Sequence, residues 1–157
     1  MVIKSSFILF AAFAVVGAAA APIVLSGSTQ SCVGGRPVIV VGVGKVSVSA
    51  FNKTKVSTLV TLLRSMDTTS ASTGPAMTNF ITKYRQMISL TNTSTALARV
   101  TSDSTGKFSV SISPVDSVLI VASADNEDQP FYYNYKMVAG RASSNFVLDM
   151  SRGSCFR

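Results

Sequence analysis

The sequence contains no histidine, no tryptophan and a single glutamate, and only 13% of its 157 residues are charged. Without histidine there can be no Ser-His-Asp or Cys-His nucleophile system. Most zinc sites and the side chain best matched to proton transfer near neutrality go with it. A glycosidase would still need two carboxylates facing each other across a sugar cleft. The seven acidic residues fall mostly in turn-like stretches and offer no such pair, so the chain reads as a noncatalytic protein with no cofactor. Asp125, Glu127 and Asp128 form its one acidic cluster; their spacing matches no calcium loop and reads as a solvated loop.

Cationic residues outnumber acidic ones by 14 to 7, for a net charge of +7. They are scattered: Lys45, Lys53 and Lys55 come nearest to a cluster, and no aromatics interleave with them. That pattern argues against nucleic acid and fits a solvated face, with attraction to an anionic surface as the alternative. Cysteine is scarce too. The lack of histidine and of a third thiol argues against metal ligation by the two cysteines, whereas Cys32 and Cys155 suit a disulfide in an oxidising compartment, with two separate free thiols as the alternative. Closing so long a loop is worth roughly 4–5 kcal/mol at most in the chain-entropy picture.

The N-terminus supports export. Lys4 precedes an uncharged apolar run over residues 7–16 and small residues at 17–21, the organisation of a secretory signal peptide. Ala18 and Ala20 suit the recognition positions, which puts the cut after Ala20 and makes residues 1–20 the signal. A cut after Ala21 would leave Pro22 directly behind the scissile bond. The alternative is an uncleaved anchor over residues 7–25; after cleavage no stable membrane insertion is expected. Localisation is then secreted, or periplasmic and cell-envelope. Residues 21–35 read as a flexible leader, and residues 36–157 as one domain.

Within that domain, residues 36–42 and 45–51 read as strands, the second alternating Val46, Val48 and Ala50 with Ser47 and Ser49. Gly42 and Gly44 invite a phosphate-loop reading, but no helix follows them, so they read as a turn or bulge. From about residue 55 to 91 the period changes. Val56, Leu59, Val60, Leu63 and Met66, then Met77, Phe80, Ile81, Tyr84, Met87 and Ile88, form two helical stripes, with Gly74-Pro75 opening the second. Residues 97–101, 107–112 and 118–122 follow as a β-meander, and Asp103 and Gly106 close a hairpin turn between the first two. Phe131, Tyr133 and Tyr135 alternate with Tyr132, Asn134 and Lys136 in an aromatic strand. An exposed row of Tyr132, Tyr133 or Tyr135 would suit a sugar, whereas packing the core edge is the structural reading. Residues 144–150 give a last strand. Asn52 and Asn92 begin glycosylation sequons flanking the helical insertion.

The stretch Thr101-Ser102-Asp103-Ser104-Thr105-Gly106-Lys107-Phe108, with the opening strand Val46 to Phe51, resembles the carboxypeptidase regulatory-like domains. Those have transthyretin-like or CNA-B-like folds. The resemblance implies an Ig-like or prealbumin-like antiparallel β-sandwich of about seven strands, here with a two-helix insertion longer than the family's usual connection. It also implies a noncatalytic module that stabilises, adheres or binds. Its partner would be another envelope or extracellular protein, or a glycan.

Overall fold

In the computed structural model, residues 20–33, 39–67, 74–126 and 129–150 are described. They form a mainly β protein with two sheets and two helices. In chain order the elements are β1 (Ile23–Val33), β2 (Ile39–Gly42), β3 (Ser47–Asn52), a 3-10 turn (Lys53–Lys55), α1 (Ser57–Asp67) and α2 (Gly74–Thr93). After the helices come β4 (Ala98–Thr101), β5 (Lys107–Ile112), β6 (Ser117–Asn126), β7 (Gln129–Ala139) and β8 (Ser144–Asp149). Residues 1–19, where most of the expected signal peptide falls, lie outside the described residues. Among the described residues no helix is long and apolar enough to cross a membrane.

The first sheet is built around β1. Its residues 23–28 pair antiparallel with β5, residues 30–33 pair antiparallel with β2, and residues 25–30 pair parallel with β8. This corrects the expected leader. Ile23, Leu25, Gly27 and Thr29 are buried and alternate with more exposed neighbours, so the strand has the period of two. Two of its inward positions carry glycine and threonine instead of apolar side chains, which hides the pattern. Gly27 is small because the Phe108 ring and the Phe146 carbonyl occupy the space a side chain would need. The parallel β1–β8 pair also departs from the all-antiparallel expectation, and the described residues hold eight strands instead of about seven.

The second sheet runs in the order β4-β3-β6-β7, antiparallel throughout. Its position explains the character of β6. Val118, Ile120 and Ala122 join Ile23, Leu25, Val110 and Leu148 of the first sheet in one apolar cluster, while Leu119 and Val121 point into a second cluster beneath the helices. A strand covered on both faces has no polar side to show, hence the uninterrupted apolar run. β3 is shared in the same way, with Val48 and Ala50 on one side and Phe51 on the other.

The two helices form a third layer. Leu59, Val60, Leu63 and Met66 of α1 and Phe80, Tyr84 and Met87 of α2 are buried against the second sheet, as their spacing predicts. α2 begins at Gly74 with Pro75 in its first turn, where the absent proline N–H costs no hydrogen bond. Its other end is tied down by Arg99. That guanidinium donates to the carbonyls of Asn92 (3.4 Å) and Ser94 (2.9 Å) and to Ser49 Oγ (3.2 Å), and it lies over the Phe51 ring. A cation on carbonyls at a helix C-terminus satisfies orphan acceptors and complements the dipole. Replacing Arg99 with methionine is expected to lower stability by about 1 kcal/mol, read as a fall in the urea midpoint at unchanged slope.

The expected meander is also corrected. β4 belongs to the second sheet and β5 to the first, so the Asp103–Gly106 turn carries the chain from one sheet to the other and closes no hairpin within a sheet. The local turn geometry is as read: Asp103 Oδ1 accepts from the Thr105 and Lys107 amides and from Thr105 Oγ1. The Gly106 amide donates to the Asp103 carbonyl at 3.0 Å, and Gly106 has a φ of +82°. Alternation in a sequence reports which face a residue occupies but not which strand lies beside it, so the partner exchange left no mark.

Candidate functional site

The residues singled out from the sequence do not converge on one site. Tyr133 is 1% exposed, surrounded by Phe80 and Tyr84, with ring centroids 6.2 and 6.1 Å away. Tyr84 in turn meets Phe131 edge-on at 5.3 Å and donates from its hydroxyl to the Ala124 carbonyl. Tyr132 packs against the cluster between the sheets. Of the three tyrosines proposed as ligand-facing, Tyr135 is half-buried and lines a cleft, Tyr133 contributes to the floor of the same cleft, and Tyr132 lies on the opposite face of the strand. Of the row, Tyr133 is therefore a packing residue under α2 and Tyr132 one between the sheets, whereas Tyr135 borders the cleft.

The cleft has a volume of about 320 Å³ and is lined by Asp67, Tyr133, Asn134 and Tyr135. It sits where the C-terminus of α1 meets β7, the edge strand of the second sheet. The Tyr135 hydroxyl donates to Asp67 Oδ2. Burial, and then the Asp67 carboxylate that accepts this bond, push the phenol up to about 12, while the nearby Arg64 charge pulls the other way. Asn134 acts as a clasp: its Nδ2 donates to the Asp149 carbonyl of β8, and its Oδ1 accepts from the Tyr135 amide at 2.6 Å. One side chain thus links the edges of the two sheets and covers part of an otherwise open strand edge.

The tyrosine titration has a definite sign. The folded protein holds the Tyr135 proton more tightly than the unfolded chain, so the stabilisation is complete below the ordinary tyrosine value near 10 and is lost as pH rises through about 12. In an alkaline titration followed by phenolate absorbance, one of the four tyrosines is expected to ionise near pH 12. Asp67→Asn should bring it down, and an unchanged curve in that variant would remove the carboxylate from the account.

Asp67 and Asn134 were not singled out from the sequence. The one available signal is that Asp67 is the only acidic residue between Lys53 and Thr93. A carboxylate at the negative end of a helix is unfavourable on its own and asks for a partner elsewhere in the fold.

The other candidates are structural in their surroundings. Thr29, Val43, Ser102 and Gly106 make a buried polar knot at one end of the sheets. The Thr29 amide donates to the Gly106 carbonyl at 2.8 Å, and Thr29 Oγ1 lies 2.6 Å from the Val43 carbonyl. Ser102 Oγ accepts from the Val46 amide at 3.0 Å. Gly42 lies against the Thr105 carbonyl, 1.9 Å from where a Cβ would be, so the glycine pair serves close backbone approach and not a phosphate. Asp103, exposed, has its carboxyl held below the usual carboxylate value, chiefly by the Thr105 hydroxyl and then by the Lys107 amide. Asn52 Oδ1 caps the 3-10 turn, accepting from Thr54 N at 3.2 Å and Thr54 Oγ1 at 2.8 Å; Asn92 is exposed in the last turn of α2.

Cys32 lies in β1 opposite Val40 and is not a free thiol; Cys155 falls outside the described residues. The side chain of Asp125 and residues Glu127 and Asp128 are likewise outside the description. Among the described residues no three potential metal ligands come together. Compared with known proteins, the chain matches no protein-family model and no curated protein.

Proposed function

We propose that the chain is an exported, noncatalytic β-sandwich module with a structural or protein-interaction role at the cell envelope or outside the cell. The observation that carries this reading is the packing of Tyr133 and its neighbours. Aromatics arranged to grip a ligand leave a ring face open, whereas these are used to seat a helical layer on the second sheet. The apolar cluster shared by the two sheets favours a sandwich. The finer proposal is an Ig-like or prealbumin-like class and kinship with carboxypeptidase regulatory-like domains, and its support is the sequence resemblance over Thr101 to Phe108 and Val46 to Phe51. A disulfide between Cys32 and Cys155 would lock β1 to the end of the chain.

The test combines export with contact. Intact-mass analysis of the protein from its native host should give a chain beginning at Ala21 and lighter by two hydrogens than the dithiol form. Photocrosslinkers placed on exposed strand positions such as Val24 and Val147 should join it to another exported protein in intact cells. Recovery from the cytoplasm with Met1 retained and two titratable thiols would overturn export. An absence of adducts from every exposed face would overturn the interaction role.

A further inference from the structure

The cleft between Asp67 and Tyr135 has a chemistry that packing alone does not require. At about 320 Å³ it stands at the small end of the roughly 300–1,000 Å³ typical of ligand pockets, enough for a single ring. Asp67 is exposed, and of the roughly four acceptor positions on a carboxylate the Tyr135 hydroxyl takes one. Having donated its proton, the Tyr135 oxygen can still accept. The Tyr135 ring, half-buried, gives the cleft an apolar wall. Arg64, on the last turn of the same helix, places a cationic donor near enough for its charge to act on the phenol.

We propose that the cleft lined by Asp67, Tyr133, Asn134 and Tyr135 is a subsite for one uncharged pyranose ring, with Asp67 accepting from adjacent sugar hydroxyls and Tyr135 lying against the ring. A carboxylate that bridges two neighbouring hydroxyls beside an aromatic wall matches the mixed character of a sugar, which is polar at its rim and apolar on its C–H faces. An organic cation fits the site less well, because the chain carries a net +7 and Arg64 adds positive charge near the cleft. Among the described residues lining the cleft a divalent cation would find one carboxylate, too few for the oxygen shell that calcium or magnesium takes. Binding here is separate from the structural role above: a module without it would still form its adducts with exported proteins.

The full chain, labelled with nitrogen-15, is titrated with the methyl glycosides of mannose, galactose and N-acetylglucosamine, and in parallel with butylammonium chloride. The expected result is saturable shifts of the Asp67, Asn134 and Tyr135 amides with at least one glycoside. Asp67→Asn should weaken that binding by about tenfold or more while leaving the melting curve cooperative, and Tyr135→Leu, which removes the aromatic wall and should weaken it likewise, is the second variant should the first fail to fold. A matched trisaccharide separates the end of a glycan chain, which shifts amides beyond the cleft, from a free sugar, which does not; both results uphold the subsite. Silence with all three glycosides overturns it, as do shifts that survive both substitutions. Shifts with butylammonium alone, abolished in Asp67→Asn, overturn it in favour of a cation site.

Discussion

Gly106→Ala is expected to destabilise the protein by about 3 kcal/mol or more, from two additive causes. At a φ of +82° any residue with a Cβ pays of order 1–2 kcal/mol. The new Cβ would also lie 2.3 Å from the Thr29 carbonyl and 2.9 Å from the Val43 amide nitrogen, both backbone atoms that cannot rotate away. Relief would mean opening the bonds from the Thr29 amide to the Gly106 carbonyl and from the Val43 amide to the Thr29 carbonyl, the knot that joins the two sheets. Gly74 provides the control: its φ is +59°, yet nothing lies within 4 Å of where its Cβ would be. Gly74→Ala should therefore show the backbone term alone, about 1 kcal/mol. Equal losses for the two alanines in urea unfolding would mean that crowding at Gly106 plays no part.

Phe51→Ala should cost about 3–5 kcal/mol. Phe51 is fully buried in the cluster between the second sheet and the helices, pairs with Leu119 of β6, and carries the Arg99 guanidinium over its ring. Its loss leaves a cavity at a point where α2 is fastened, so the helical layer should loosen with the core. Hydrogen exchange would show this as amides of α2 losing protection more than those of β1 and β5. A uniform loss would mean that the three layers unfold as one unit despite their separate clusters.

How far the sequence spoke for the structure depends on what each residue was adjacent to. β5, with Phe108, Val110 and Ile112 inward, and both helical stripes were legible because each carries its burial pattern within a few residues. β1 was not, because Gly27 and Thr29 occupy inward positions where neighbouring rings and carbonyls leave no room or need a hydroxyl. The exchange of partners between β4 and β5 was invisible for a different reason: alternation is identical whichever sheet a strand joins. The Asp67–Tyr135 cleft joins residues 68 positions apart, and no local pattern encodes that meeting.

The place of β1 in its sheet bears on how the chain acquires its structure. Leu25 pairs with Ser144 and Gln30 with Asp149, so the strand formed from the earliest described residues waits for the latest. Contacts of such long sequence separation slow folding, because the loop-closure entropy is spent before the pairing repays it. A chain threaded through a membrane from its N-terminus would keep its first sheet incomplete until residue 149 had crossed. Loose structure during passage and a closed sheet afterwards would both follow from that one parallel pairing.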